Sequence, residues 1–344
     1  MHYRPLGRTG IKVSPYALGT LLLGASIGNP DHDDAIRIVH TALDAGINLV
    51  DTADGYSLGA SEEVVGKALK GRRDRVVLAT KFTRPMGEDP NQRGASRRWI
   101  MAAVEGSLRR LQTDYIDVYQ VHRPDFDTDV EETLSALTDL IRSGKVRAIG
   151  SSTTLPSDIV DAQWVAERRG LERFRTEQPP YSILNRGIER EVLPLAQRFG
   201  IGVLVWGPLG QGMLTGRVRR GREVDLVRAP FIDGFADEQR LDAVEQLAAL
   251  ADEAGLPMTH LAMAFAIAHP GVSSALLGPR TMDHLDDLLA GLDVVLSDDV
   301  LDRIDEIVPP GTDVGTMDRS QAVIPPALEL PRLRRRPLDD RAAA

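Results

Sequence analysis

The chain has 344 residues, a formal net charge of −9, 42% hydrophobic residues and no cysteine. An acidic balance with no Lys/Arg cluster interleaved with aromatics argues against a nucleic-acid partner. The missing cysteines exclude disulfides, thiolate nucleophiles, cysteine-type zinc sites and iron–sulfur clusters. The 7 histidines lack metal-ligand spacing, so no metal is expected.

The polar start, Met1 to Gly10, has no signal-peptide core, and no apolar run approaches the ~20 residues that cross a bilayer. A soluble cytoplasmic protein with no membrane partner is expected, its oligomeric state left open. No linker or low-complexity stretch divides the sequence. It reads as one domain over residues 1–344, with about 312–344 as a tail carrying the basic run Arg332, Arg334, Arg335 and Arg336.

Tyr3 to Pro15, with Gly7 and Gly10 around a turn, predicts a hairpin. Ala17–Thr20 is the first of eight apolar runs that alternate with helical stripes. Ile36, Val39, Ala42 and Leu43 share a helix face that ends at Gly46, and Asn48–Asp51 follows as the second strand. Ser61 is expected to cap a helix that buries Val64, Val65, Ala68 and Leu69. Val76–Lys81 is the third strand and Tyr115–His122 the fourth, with Ile100, Val104, Leu108 and Leu111 at helical spacing between them. Strands at Val146–Ile149, Phe174–Gln178, Gly202–Trp206 and Ser274–Leu277 complete the series. The last follows a long helical region from about Asp237 to His269. Eight βα units favour an α/β fold of the closed (β/α)8 TIM-barrel type over an open sheet. The long connections Arg84–Ser96 and Leu214–Asp233 both follow strands, which places them at the catalytic mouth of a barrel as substrate-facing loops.

Active sites of barrels gather at the C-terminal strand ends. Asp51 ends the second strand, Lys81 the third and His122 the fourth, with neighbouring strands about 4.8 Å apart. Tyr56 lies five residues past Asp51, close enough to fold back over the same patch. The sequence has five lysines, Lys12, Lys67, Lys70, Lys81 and Lys145, and only Lys81 ends an apolar strand. It reads either as half of a structural ion pair with Asp51 or as a cation that favours ionisation of Tyr56, making that phenol a proton donor. His122 reads either as a satisfied core histidine or as a hydrogen-bond donor to a carbonyl oxygen.

The segments Asp51-Thr52-Ala53-Asp54-Gly55-Tyr56, Ala79-Thr80-Lys81-Phe82 and Tyr115 through Pro124 resemble signature stretches of the aldo-keto reductase family. The resemblance runs from Arg4 to about Gly311. It implies an NADP(H)-dependent oxidoreductase that reduces an aldehyde or ketone, reversibly, with a catalytic tetrad of Asp51, Tyr56, Lys81 and His122. It also implies cofactor contacts. Ser152 and Gln178 would hold the nicotinamide carboxamide and Trp206 would stack on the ring. Pro208, Leu209, Gly210, Gly212 and Arg217 would follow the pyrophosphate. Gly278, Arg280, His284 and Asp287 would surround the 2′-phosphate and adenine, Gly278 to Thr281 opening a helix that suits an anion. Departures from the family pattern fall at Gly207, Gly210, His284 and Leu288 and touch the cofactor site alone.

A small carbonyl compound is the expected partner, in a pocket lined by residues such as Leu22, Leu23, Trp99, Tyr181 and Ile183. Two alternatives stand beside this reading. One is an NADPH-sensing regulatory subunit, as the potassium-channel beta subunits of this fold family are. The other is a barrel hydrolase or aldolase with Lys81 as Schiff-base nucleophile, which would leave Gly278 to Thr281 unexplained.

Overall fold

A computed structural model describes residues 1–24, 28–221, 237–315, 330 and 333–335. Two short strands, β1 (Arg4–Pro5) and β2 (Lys12–Val13), form the predicted antiparallel hairpin. Eight parallel strands follow: β3 (Tyr16–Gly19), β4 (Leu49–Asp51), β5 (Val77–Phe82), β6 (Ile116–Val121), β7 (Val146–Ser152), β8 (Thr176–Gln178), β9 (Gly202–Val205) and β10 (Ser274–Leu277). They close into a barrel in chain order, β10 pairing with β3. All eight predicted strands form, and the fold is the (β/α)8 barrel the alternation implied.

The helices are α1 (His32–Asp44), α2 (Ala60–Ala68), α3 (Arg97–Leu111), α4 (Val130–Arg142), α5 (Pro156–Arg169), α6 (Val192–Phe199), α7 (Glu238–Glu253), α8 (Met258–Ala268), α9 (Met282–Ala290) and α10 (Asp298–Ile307). α3 buries the predicted stripe Ile100, Val104, Leu108 and Leu111, whereas α1 buries Val39 and Ala42 of its predicted face together with Ala35 and Ile38 and leaves Ile36 and Leu43 half-buried. The long helical region from Asp237 is two helices. Gly255, at φ 66, and Pro257 separate them, since a left-handed residue followed by a proline cannot continue α7.

The predicted cap of α2 is corrected. Its N-cap is Gly59, in a left-handed conformation without a side-chain bond. Ser61 is fully buried instead, its Oγ donating to the Thr20 carbonyl at 2.9 Å and lying 3.1 Å from Thr52 Oγ1. Acceptors at two strand ends outcompete the helix terminus for that hydroxyl.

The barrel interior positions the site. Its lower part is apolar, with Ala17, Leu49, Ala79, Val118 and Leu204 packed in one cluster with Leu6 and Val13 of the hairpin. The hairpin therefore plugs the N-terminal end, and Arg8 N–H donates to the Gly200 carbonyl at 2.9 Å to fasten it. The polar interior residues Asp51, Lys81, Gln120 and Gln178 lie at the opposite end. A larger apolar layer, with Leu78, Ile100, Tyr119 and Ile149 among its members, packs the first helices onto the strands.

The loop 84–96 after β5 is held to its strand by Gly94 N–H donating to the Thr83 carbonyl at 3.0 Å. The loop predicted over 214–233 is described as far as 221, and the remainder lies outside the described residues. Of the expected tail, residues 312–315 pack onto the chain following β8: Arg186 N–H donates to the Thr312 carbonyl and Val314 N–H to the Leu184 carbonyl, both at 2.9 Å. Arg334 and Arg335 are exposed, while Arg332 and Arg336 lie outside the described residues. Among the described residues no helix is long and apolar enough to cross a membrane.

Candidate active site

The strand ends bring the predicted tetrad together. Asp51 is the last residue of β4 and pairs in register with Ala79 of β5, while Lys81 pairs with Gln120 of β6. Asp51 and Lys81 are 1% and 0% exposed, so neither charge can be satisfied by water. The ammonium of Lys81 meets three acceptors, Asp51 Oδ1 at 2.5 Å, the Thr52 carbonyl at 2.9 Å and the Tyr56 hydroxyl at 3.1 Å. Those three bonds use all three of its protons. Burial disfavours this cation, yet the combined pull of Asp51 and Tyr56 more than offsets that and holds the lysine pKa above its ordinary value. Asp51 is satisfied in turn by amide donors, Gln178 Nε2 at 2.8 Å and Gln120 Nε2 at 3.4 Å.

Tyr56 reaches this patch because the chain reverses sharply after it. Ser57, Leu58 and Gly59 have φ of 48, 52 and 96°. Two of these are not glycine, so the turn carries backbone strain of the kind found around functional groups. His122, 9% exposed, follows β6, and its N–H donates to the Phe82 carbonyl at 2.9 Å. Its ring stands edge-on to Tyr56, centroids 5.5 Å apart and planes at 77°. Burial, reinforced by the positive charges of Lys81, Arg84 and Arg123, pushes the His122 pKa well below the usual value. The imidazole is neutral at pH 7, and Nδ1 is buried without a partner.

The predicted nicotinamide contacts adjoin the tetrad. Ser152 Oγ donates to the Gln178 carbonyl at 2.8 Å, and the Gln178 amide touches Asp51 directly. Trp206, half-buried after β9, points its indole N–H at Thr153 Oγ1, 3.4 Å away. Further round the mouth, Gly210 to Thr215 forms a 3-10 turn after Pro208 and Leu209 in which Gly210, Gln211 and Gly212 have φ of 55, 59 and 109°. Three successive left-handed residues explain the glycines, and Arg217 is exposed just beyond them. Gly278 follows β10 with open space where a Cβ would stand, and Thr281 caps α9 by accepting His284 N–H at 3.3 Å. Burial first, then Arg217 and Arg280, lower the pKa of His284, so both guanidiniums act on one spot.

Other expectations meet a different environment. Asp287 is engaged by His260 of α8, whose Nε2 lies 2.8 Å from the Asp287 carbonyl and 3.4 Å from its carboxylate. Leu288 is buried in the apolar layer under α9. Leu23 and Ile183 are fully buried packing residues. Tyr181 stacks on Phe265 with its hydroxyl 2.6 Å from Glu189. Trp99 also packs in the core, and Leu22 alone of the expected pocket residues is half-exposed.

Several site residues went unnoticed in the sequence. Gln120 was detectable, since period-two alternation in Tyr115–His122 puts it on the face of Val118. Glu177 was hidden beside Gln178. It is buried, bonded to Ser151 Oγ at 2.5 Å and to Thr154 N–H at 3.0 Å, and burial raises its pKa to about 7. Asp54 is wholly buried with neither oxygen hydrogen-bonded, and burial together with the nearby Glu62 raises its pKa to about 8. The Tyr119 hydroxyl beside it is also unpartnered.

A closed parallel barrel with a Lys–Asp–Tyr–His cluster at its C-terminal mouth defines an oxidoreductase of the carbonyl-reducing barrel class. A family model for the aldo/keto reductase family matches residues 16–309, and the chain belongs to that family. It is 38% identical over 328 residues to the uncharacterized oxidoreductase YrpG of Bacillus subtilis strain 168, covering 90% of this chain and 96% of that protein. It is 39% identical to the aldo-keto reductase YhdN of the same strain, over 84% of this chain and 88% of that one. A probable voltage-gated potassium channel subunit beta of Oryza sativa subsp. japonica is 35% identical over 90% of this chain and 97% of its own.

Proposed function

We propose that this chain is an NADPH-dependent carbonyl reductase in which Tyr56 supplies the proton to the substrate oxygen. The observation that carries this reading is the Lys81 ammonium shared between Asp51, at 2.5 Å, and the Tyr56 hydroxyl, at 3.1 Å, beside a neutral His122.

The residues present fit the cofactor. Gln211, in the turn expected to follow the pyrophosphate, has a buried side-chain amide with neither polar atom partnered. Gly278 leaves open space at the start of α9, where backbone N–H groups and the helix dipole favour an anion. Arg280 and Arg217 would hold the 2′-phosphate there, and Ser152, Gln178 and Trp206 the nicotinamide end. When bound, the dihydronicotinamide supplies hydride to the carbonyl carbon.

The protein's own part is proton control and orientation. Lys81 stabilises the phenolate that Tyr56 leaves behind after giving up its proton, and Asp51 keeps the lysine charged and fixed. His122 donates a hydrogen bond to the carbonyl oxygen, an interaction that strengthens as negative charge develops there. Its neutrality keeps it a donor that does not compete with Tyr56 as the acid.

Tyr56→Phe tests the assignment: carbonyl reduction should fall by ~10²-fold or more, while NADPH binding, read by protein fluorescence, persists. Retention of most of kcat would remove the reading. A second reading, an NADPH-sensing subunit that regulates a partner, is favoured by the 35% identity to the rice channel subunit. NADPH oxidation with a panel of aldehydes separates the two.

A further inference from the structure

At the rim of the mouth lies a strained turn that proton control does not explain. β5 ends at Phe82, and the next residue, Thr83, is 9% exposed with φ 104. For a β-branched residue such a conformation is a true outlier, kept only where the surroundings enforce it. Here they do so from two sides. Thr83 Oγ1 accepts the Arg123 N–H at 3.1 Å, and its carbonyl accepts the Gly94 N–H at 3.0 Å.

The consequence is the placement of two cations. Arg84 leaves the turn against the loop that carries Tyr56, so closely that a Cβ built on Gly55 would lie 2.8 Å from Arg84 Cβ. Arg123 follows His122 directly, its guanidinium 5.5 Å from the Trp206 ring centroid. Arg84 thus branches off on the tyrosine side of His122, and the Arg123 guanidinium stands on the tryptophan side. Both act on His122 electrostatically.

Arg73, Arg97 and Arg110 are held by carboxylates, Asp117, Asp139 and Glu62. Arg84, beside the catalytic loop, is not. It is exposed, and among the described residues its side chain makes no ion pair or hydrogen bond. A solvated surface arginine needs no strained threonine to hold its backbone against the catalytic loop, whereas a guanidinium that must meet a substrate does.

We propose that Arg84 and Arg123, fixed across Thr83, form a rim that selects carbonyl substrates bearing an oxyanion, a carboxylate or a phosphate, near the group to be reduced. The inference rests on the reductase reading above and adds the substrate class to it. A planar guanidinium binds such groups through paired, charge-assisted hydrogen bonds. The reacting carbonyl stays neutral, so the anion orients it without altering the proton transfer.

The test compares kcat/KM for 4-carboxybenzaldehyde with that for its methyl ester, methyl 4-formylbenzoate, at saturating NADPH. The ester withdraws electrons more strongly and makes its aldehyde the more electrophilic, so a preference for the carboxylate cannot come from the aldehyde itself. The carboxylate should be preferred by about 10-fold, and added salt should erode the preference. Arg84→Gln should bring the ratio close to one, and Arg84→Lys should restore part of it. Because the ratio is taken within one enzyme preparation, partial loss of folded protein cancels. A third aldehyde, 4-formylphenyl phosphate, decides between the two anions, the preferred one naming the natural group. A wild-type ratio near one, or a ratio unchanged in Arg84→Gln, overturns the inference and leaves the reductase reading standing. Reduction of none of these aldehydes removes both.

Discussion

Replacing Lys81 with methionine keeps the aliphatic stem in its slot and deletes only the ammonium. Asp51, 1% exposed, would then keep its charge with two amide donors, Gln178 at 2.8 Å and Gln120 at 3.4 Å. Breaking a buried pair by removing one partner costs about 3–5 kcal/mol, and the remaining amide bonds put this case near the lower figure. In a chain of this size that is a fall in Tm of roughly 4–5 °C. Asp51→Asn alone leaves Lys81 with the Thr52 carbonyl and Tyr56, and should cost a similar amount. The double variant Lys81→Met/Asp51→Asn has no orphan charge, so it should regain most of the stability, with a coupling energy of about 2 kcal/mol or more. Activity should behave otherwise. Without the ammonium, Tyr56 loses the group that stabilises its phenolate, and both Lys81→Met and the double variant should lose ~10²-fold or more in kcat. Thermal unfolding and NADPH turnover on the four proteins of the cycle measure both quantities. The pH dependence has a definite sign. A lysine whose folded pKa is raised contributes stability that is complete below its unfolded value of ~10.4 and lost as pH rises through the folded one. The Tm gap between wild type and Lys81→Met should therefore stay flat from about pH 6 to 9. A loss below about 1 kcal/mol in Lys81→Met, or a double variant as unstable as the sum of the singles, would refute the ion-pair reasoning.

Asp54 gives the opposite pH dependence. Its carboxyl, raised to about 8 by burial and by Glu62, carries a proton in the folded state over an interval in which the unfolded chain does not. Stability should fall as pH rises through that interval and level off above it. Asp54→Asn should thus match wild type in Tm near pH 4 and exceed it by a growing margin toward pH 8, on the order of 5 kcal/mol. A margin independent of pH would mean that Asp54 is ionised throughout. For cofactor choice, Arg280→Ala should weaken NADPH binding by about 10-fold or more and leave NADH nearly unaffected, as a charge-assisted contact to phosphate requires. Equal losses in a fluorescence titration would make Arg280 a loop-shaping residue instead.

The architecture was legible in the sequence because it rests on local signals. Period-two and period-3.6 patterns mark each βα unit, and eight units in series leave a closed barrel as the simplest way to cover every strand. The tetrad was legible for the same reason. Asp51 ends β4, Lys81 is the last residue but one of β5 and His122 follows β6, and parallel strand ends must meet on one rim. Boundaries moved where local preference is weak, as at Phe174–Gln178, of which only Thr176–Gln178 is strand.

Other features depend on contacts between residues far apart in the chain, and no local pattern encodes them. Ser61 is a good capping residue by type, yet Thr20 and Thr52 claim its hydroxyl once β3 and β4 are side by side. Tyr181 and Ile183 look like pocket residues until packing puts them in the core. The charge state of a carboxyl follows burial, so the raised pKa values of Asp54 and Glu177 could not be read from their neighbours in sequence. The strained Thr83 that holds Arg84 and Arg123 at the mouth exists only because β5 and β6 end together. Sequence by itself determined the eight strands and which residues lie at or next to their C-terminal ends. Tertiary structure alone decided which of them are dry, which are strained and how closely Arg84 approaches the loop of Tyr56, because desolvation and register are properties of the assembled barrel.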